Sequence, residues 1–196
     1  MNTPTRLLAC IIATALLSGC AGLPPARHIT LDDGRPKTAK SSTVPSVAVV
    51  RANVPELIDR PQLVVRDGSH VTFSEQYRWA EPLRREIPLV IANDLGELLD
   101  SSRVAALPTD AEGFNVDFKL MLEFQQLDAV IGQGADVDVL WRVEYRSGKA
   151  FVGRSSFRQP LAGAATDYPA LVAAQRQALR RVAAEIAKEI AEHPNP

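Results

Sequence analysis

Cysteine, histidine, methionine and tryptophan are all scarce in this 196-residue chain, with two, three, two and two residues. Two cysteines, Cys10 and Cys20, cannot make the disulfide framework of a small stapled domain. The three histidines, His28, His70 and His193, are scattered and stand in no metal-binding spacing. No Gly-x-Ser-x-Gly elbow is present, because Ser155-Ser156 follows Gly153-Arg154. Gly132-Gln133-Gly134 lacks the third glycine of a phosphate loop and reads as a turn between strands. Asp136 and Asp138 lie two apart on a strand's polar face, which predicts solvated rather than catalytic carboxylates. Nothing in this inventory argues for an enzyme, and no metal or cofactor is implied. Charge of one sign is lacking too: the formal net charge is −1, too weak a field to draw nucleic acid. No apolar run reaches the roughly 20 residues that a bilayer-spanning helix needs.

What is present starts at the N-terminus. Arg6 precedes an apolar stretch, Leu7 to Leu17, which ends in Leu17-Ser18-Gly19-Cys20. This is the charged, apolar and small-residue order of a secretory signal. The Leu-Ser-Gly-Cys end resembles a lipobox, in which the thiol is diacylated and the chain is cut just before it. Residues 1–19 are therefore read as a signal peptide and Cys20 as the lipidated first residue, carrying a diacylglycerol and an N-acyl chain. Each buried methylene contributes about 0.8 kcal/mol, so several chains anchor a soluble domain. By resemblance to the usual sorting pattern, Ala21 after the cysteine favours the outer membrane, facing the periplasm. The mature chain keeps 21 basic and 23 acidic side chains, since Arg6 leaves with the signal.

Residues 20–45 carry Pro24-Pro25, Asp32-Asp33-Gly34 and Pro36, and read as tether and loop. Arg27 to Leu31 inside it is a short first strand. Residues 46–196 are long enough for one domain with one core. Val47–Val54 and Gln62–Arg66 read as strands, and His70–Phe73 as the hairpin partner of the second. Trp79, Leu83, Ile87, Val90, Ile91, Leu95 and Leu98 then recur at helical spacing. Pro82 suits the helix start. Pro88 predicts a bend, or a helix that begins only near Ile87. Strict alternation follows over Val116–Phe124 and over Val137–Tyr145, and Ala150–Arg158 completes a meander. Tyr168 to Ile190 is the clearest helix, with Asp167 as its cap. Arg176, Arg180 and Arg181 are expected on its solvated side. The predicted class is α+β, a mostly antiparallel sheet with two amphipathic helices on one face.

Four segments resemble one family. They are Val54-Pro55-Glu56-Leu57-Ile58-Asp59-Arg60-Pro61-Gln62-Leu63-Val64-Val65-Arg66, Trp79-Ala80-Glu81-Pro82-Leu83, Asn93-Asp94-Leu95-Gly96-Glu97-Leu98-Leu99 and Tyr168-Pro169-Ala170-Leu171-Val172-Ala173-Ala174. Together they resemble the ABC-type transport auxiliary lipoproteins, the PqiC-like family. Arg-Pro-Gln followed at that distance by Trp-Ala-Glu-Pro-Leu is the specific part. The resemblance implies a role rather than a reaction: an outer-membrane lipoprotein tied to MCE-domain lipid transport, docking or receiving a periplasmic tube. The partners implied are an MCE-domain protein and the membrane, and a homo-oligomeric ring is compatible with that role. The alternative is a stand-alone envelope assembly or ligand-binding lipoprotein.

Arg60, Pro61, Gln62, Trp79 and Glu81 are the candidate docking or structural residues. Pro61 fixes its own φ and biases Arg60 to extended geometry, which aims the guanidinium outward. The functional reading is a docking contact. The ordinary one, which the sequence favours, is an ion pair inside the domain with Asp59 or Glu81.

Overall fold

The structure is a computed structural model that describes residues 25–34, 45–107 and 115–193. The signal segment, Cys20 and most of the tether lie outside the described residues. In chain order the elements are β1 (Arg27–Ile29), β2 (Val47–Asn53), β3 (Gln62–Asp67), β4 (His70–Trp79), α1 (Leu83–Leu98), β5 (Val104–Ala106), β6 (Phe118–Val130), β7 (Gly134–Tyr145), β8 (Ala150–Pro160) and α2 (Tyr168–Glu192).

The eight strands form one mixed sheet, not the mostly antiparallel one expected. The β3/β4 hairpin and the β6–β7–β8 meander are antiparallel. The pairs β1/β4, β2/β5, β2/β6 and β3/β6 are parallel. Alternation reveals that a strand exists but not which neighbour it takes. Strands joined by tight turns pair antiparallel, whereas those that arrive over a longer crossover are free to pair parallel.

β6 organises the sheet. One of its edges pairs β7 along its whole length. The other edge is shared, with β2 from Phe118 to Glu123 and β3 at Ala129 and Val130. The register slips between Phe124 and Gln126, so a bulge falls between the two shared stretches. A bulge bends its strand and raises the twist. Here it lets β2 and β3 diverge from one edge, and the 54–61 segment crosses the gap between them.

Both helices cover the same face: α1 packs on β2 and β5, α2 on β6, β7 and β8, and the helices touch each other. Alternate residues of the meander point at them, with Phe118, Leu120, Leu122 and Phe124 on β6 and Val137, Val139, Trp141 and Val143 on β7. Leu171, Leu179, Val182, Ile186 and Ile190 close the core from α2. Each such side chain contributes roughly 1.5–3 kcal/mol by leaving water. Asp167 caps α2 by accepting from the Ala170 N–H at 3.3 Å.

Three expectations need correction. Trp79 does not begin the helical stripe; β4 runs on to it, and a strand-end backbone still buries the indole. α1 starts at Leu83, after Pro82, and continues through a buried Pro88. The missing Pro88 N–H costs one intrahelical bond, and burial of the ring with Ile87 and Val90 offsets part of that. Arg176 is not solvated, because it reaches the buried Asp94 of α1. No helix among the described residues is long and apolar enough to cross a membrane.

Candidate docking site

The Arg-Pro-Gln and Trp-Ala-Glu-Pro-Leu segments meet where β3 begins and β4 ends. The Pro55 carbonyl accepts from the N–H groups of Ile58 and Asp59, at 3.0 and 3.2 Å, which winds the incoming chain into a turn. Ile58 anchors that turn in the core. The Trp79 N–H then donates to the Pro61 carbonyl at 2.8 Å, and Gln62 pairs with Arg78. A surface concavity of about 460 Å³ results, lined by Asp59, Arg60, Pro61, Trp79, Ala80, Glu81, Pro82 and Arg84. Four of the five candidate residues line it. Gln62 does not; it is half-buried in β3 beside them.

The Arg60 guanidinium lies over the Phe73 ring, 4.2 Å from its centroid. Its Nε is buried with no hydrogen-bond partner. The expected ion pair with Asp59 or Glu81 is absent among the described residues. Asp59 is taken by Arg84, whose Nε donates at 2.7 Å and whose terminal nitrogen donates to the same oxygen. That hydrogen bond, with the charge of Asp59 behind it, raises the Arg84 pKa. Glu81 stands exposed at the rim with no ion pair among the described residues.

Sequence reasoning missed the parts that Asp59, Arg84 and Phe73 play. Arg84 sits one residue past the Trp-Ala-Glu-Pro-Leu segment, and its charge opposite Asp59 was the available signal. Phe73 carried none, since it faces outward from the hairpin and is 41% exposed.

The lining carries no hydroxyl, thiol, imidazole or amine; its charged groups are the carboxylates of Asp59 and Glu81 and the guanidinium groups of Arg60 and Arg84. The arrangement can bind. A planar cation on an aromatic face stands beside an apolar floor of Trp79, Pro61 and Pro82, with a carboxylate at the rim. An arginine fork in that setting matches a carboxylate bidentately.

The remaining polar candidates are structural. Arg158 holds Asp136 and Arg154 holds Asp138, bridging β7 to β8 on the face without helices. The bond from Arg154 lowers the Asp138 pKa. No group of three metal-ligating side chains gathers among the described residues.

A mixed sheet with both helices on one face and a polar-rimmed concavity at one strand end defines a small α+β domain. The chain belongs to the ABC-type transport auxiliary lipoprotein family, whose defining pattern matches residues 30–187. Among solved structures it is similar to an uncharacterised protein at 15% identity, covering 85% of this chain and 99% of that one, with a TM-score of 0.68. It is also similar to a Xanthomonas campestris protein at 20% identity, covering 83% and 90%, with a TM-score of 0.54. At these identities the likeness is one of fold. No curated protein matches it in sequence.

Proposed function

We propose that this chain is a non-enzymatic outer-membrane lipoprotein subunit of an MCE/ABC-type intermembrane lipid transport system, anchored by acyl chains on Cys20. It docks or receives the periplasmic tube through the Arg60 concavity. Membership of a transport auxiliary family supports the role, and Leu17-Ser18-Gly19-Cys20 followed by Ala21 supports the anchor and the membrane. One observation carries the docking reading: Arg60 is stacked and held, yet no carboxylate among the described residues answers it. A partner's acidic side chain would complete it. Losing one member of such a pair in a desolvated interface costs about 2–5 kcal/mol of binding.

The test is capture. Tagged, lipidated protein is isolated from gently solubilised envelopes, and co-purifying proteins are quantified by mass spectrometry. An MCE-domain protein is expected with the native chain. Arg60→Ala should reduce its recovery at least tenfold, about 1.4 kcal/mol, and Arg60→Lys should restore little, because an ammonium is no fork. The melting temperature should fall by only a few degrees, since an exposed cation–π contact contributes about 0.5–1 kcal/mol. Undiminished capture by Arg60→Ala would remove Arg60 from the interface.

The alternative, a stand-alone ligand-binding or envelope assembly lipoprotein, is favoured by a second concavity. It measures about 570 Å³ on the helix-free face and is lined by Arg51, Met121, Leu140 and Val152 among others. Bound lipid or assembly proteins recovered without any MCE-domain protein would support it.

A further inference from the structure

We infer that the anchored domain has a fixed orientation: the pole formed by the β3/β4 hairpin tip, the 131–133 turn and the 161–167 loop faces the bilayer, and the Arg60 concavity opens away from it. The inference rests on the proposed lipidation of Cys20 and is independent of which partner docks.

The chain from Cys20 enters the fold at β1, and β1 is firmly held. It pairs parallel with β4, from Arg27 opposite Tyr77 to Ile29 opposite Trp79. The Ala80 N–H donates to the Ile29 carbonyl at 2.8 Å. Immediately after β1, the buried Glu86 of α1 accepts from the Leu31 N–H at 2.7 Å, from the Asp32 N–H at 3.3 Å and from the Thr30 hydroxyl. Leu31 itself is 1% exposed. Arg27 is therefore a fixed point on the domain.

Six residues lie between Cys20 and Arg27, and the seven steps of a fully extended chain span at most about 25 Å. Strand register places Arg27 along the sheet. Its partner Tyr77 lies one step nearer the hairpin tip than the Arg78/Gln62 pair, and so about three steps from Arg66, which pairs with Val130 of β6. At roughly 3.3 Å per residue, Arg27 stands about 10 Å from the Val130 end of β6 and about 30 Å from the Phe118 end. The β7–β8 turn lies beyond Phe118, which pairs with Tyr145. A domain resting on that far turn would hold Arg27 higher than the tether reaches. Direction agrees with distance. β1 runs parallel to β4, so the strand is entered from the His70 side, where the hairpin tip lies.

The two poles also differ chemically. Residues 131–133 and 161–166 carry no charged side chain, and the acids of the near pole, Asp67 and Asp167, flank them. The far pole bears Arg146, Lys149, Lys188 and Glu192. Neutral, small-residue loops approach lipid headgroups without stripping water from strongly hydrated ions. Arg60–Pro61 and Glu81–Pro82 extend from the ends of β3 and β4 opposite the hairpin tip, which turns the concavity toward whatever approaches from the aqueous side.

The mature chain has no cysteine besides Cys20, so an added one is a unique free thiol. Lipidated protein carrying Ser69→Cys, Ala162→Cys or Lys149→Cys is labelled with a fluorophore and reconstituted into phosphatidylcholine vesicles that contain a headgroup-nitroxide lipid. Quenching at 69 and 162 is expected to exceed that at 149 several-fold. Equal quenching at all three positions, or the strongest at 149, in protein that floats with the vesicles would overturn the orientation and leave the anchor intact. Protein that fails to float, with an unacylated Cys20 peptide by mass, would sink the anchor and the orientation together.

Discussion

Arg176 of α2 grips Asp94 of α1 through two parallel hydrogen bonds of 2.6 and 2.7 Å, across 82 positions of sequence. The Asp94 side chain is 2% exposed, and Arg180 adds a third contact at 3.3 Å. Burial alone would lower the Arg176 pKa; the bond to Asp94 and the nearby acids Asp33 and Asp32 outweigh it, and the pKa rises. Removing one member of a buried pair leaves the other charge uncompensated, at a cost of about 3–5 kcal/mol. Asp94→Ala should therefore shift the urea midpoint strongly. Asp94→Leu combined with Arg176→Met should recover most of that loss, because the buried charges disappear together. A double mutant no better than Asp94→Ala would show that the pair contributes more than its own desolvation cost.

Glu86 holds the entry segment rather than the core. Glu86→Ala removes the acceptor for two backbone N–H groups and one hydroxyl, so about 2 kcal/mol of stability should go. For a domain of this size that is a melting-temperature drop of roughly 4–8 °C. The local effect distinguishes a clamp from a general loss: the Leu31 amide should exchange with deuterium far faster than the amides of β7. Uniform acceleration across the domain would mean that Glu86 has no special hold on residues 30–32.

Much of this was legible in advance. Alternation marked the middle of β6 and β7, because each has one face on the helices and one on water, but β6 runs on to Val130, past the Phe124 where the alternation ended, and β7 begins already at Gly134. The helical spacing of Leu171, Leu179, Val182 and Ile186 did the same for α2. The sheet's mixed order was not legible, since pairing partners follow from crossovers, which leave no periodic trace, and the β6 bulge at Gln125 shows only as a phase shift of the buried positions from Phe124 to Leu127. Arg176 was misjudged for a related reason. Its position off the apolar stripe predicts solvent, but α1 lies alongside and brings Asp94 within reach. At the candidate site, the motif residues were visible as a set, yet nothing in their spacing disclosed that Asp59 would choose Arg84 and leave Arg60 to Phe73.

Gly153 is a packing requirement. It sits opposite Trp141 in the β7/β8 register, and the indole lies directly across it. That placement lets the indole Nε1 donate to the Ser155 hydroxyl at 3.2 Å, and the hydroxyl in turn donate to Glu185 of α2. A Cβ on residue 153 would overlap the six-membered ring. Gly153→Ala should cost about 1–3 kcal/mol or more by overpacking. In a Trp141→Leu background the same substitution should cost markedly less, because the obstructing ring is gone. Additive losses in the double-mutant cycle would place the strain elsewhere.

Acid should weaken the domain through two carboxylates whose folded pKa values are depressed. The Ser46 N–H, at 2.8 Å, is the main cause for Asp117; the Ser46 hydroxyl adds to it, as do Arg146 and Arg103, while partial burial opposes. For Asp138 the cause is the bond from Arg154. A group whose folded pKa lies below its unfolded one contributes stability above the unfolded value, near 3.9 for aspartate. That contribution is lost as the pH falls through the folded value. Both contributions are therefore complete at pH 7 and fade in the acid range below the ordinary carboxylate pKa. Asp117→Asn should lower the urea midpoint at pH 7 and flatten its decline between pH 5 and about pH 2. Because the Arg154–Asp138 pair is exposed, high salt should shrink its share, whereas the Ser46 bonds to Asp117 should persist. Wild type and Asp117→Asn profiles that run parallel through the acid range would show that Asp117 titrates alike in the folded and unfolded chains.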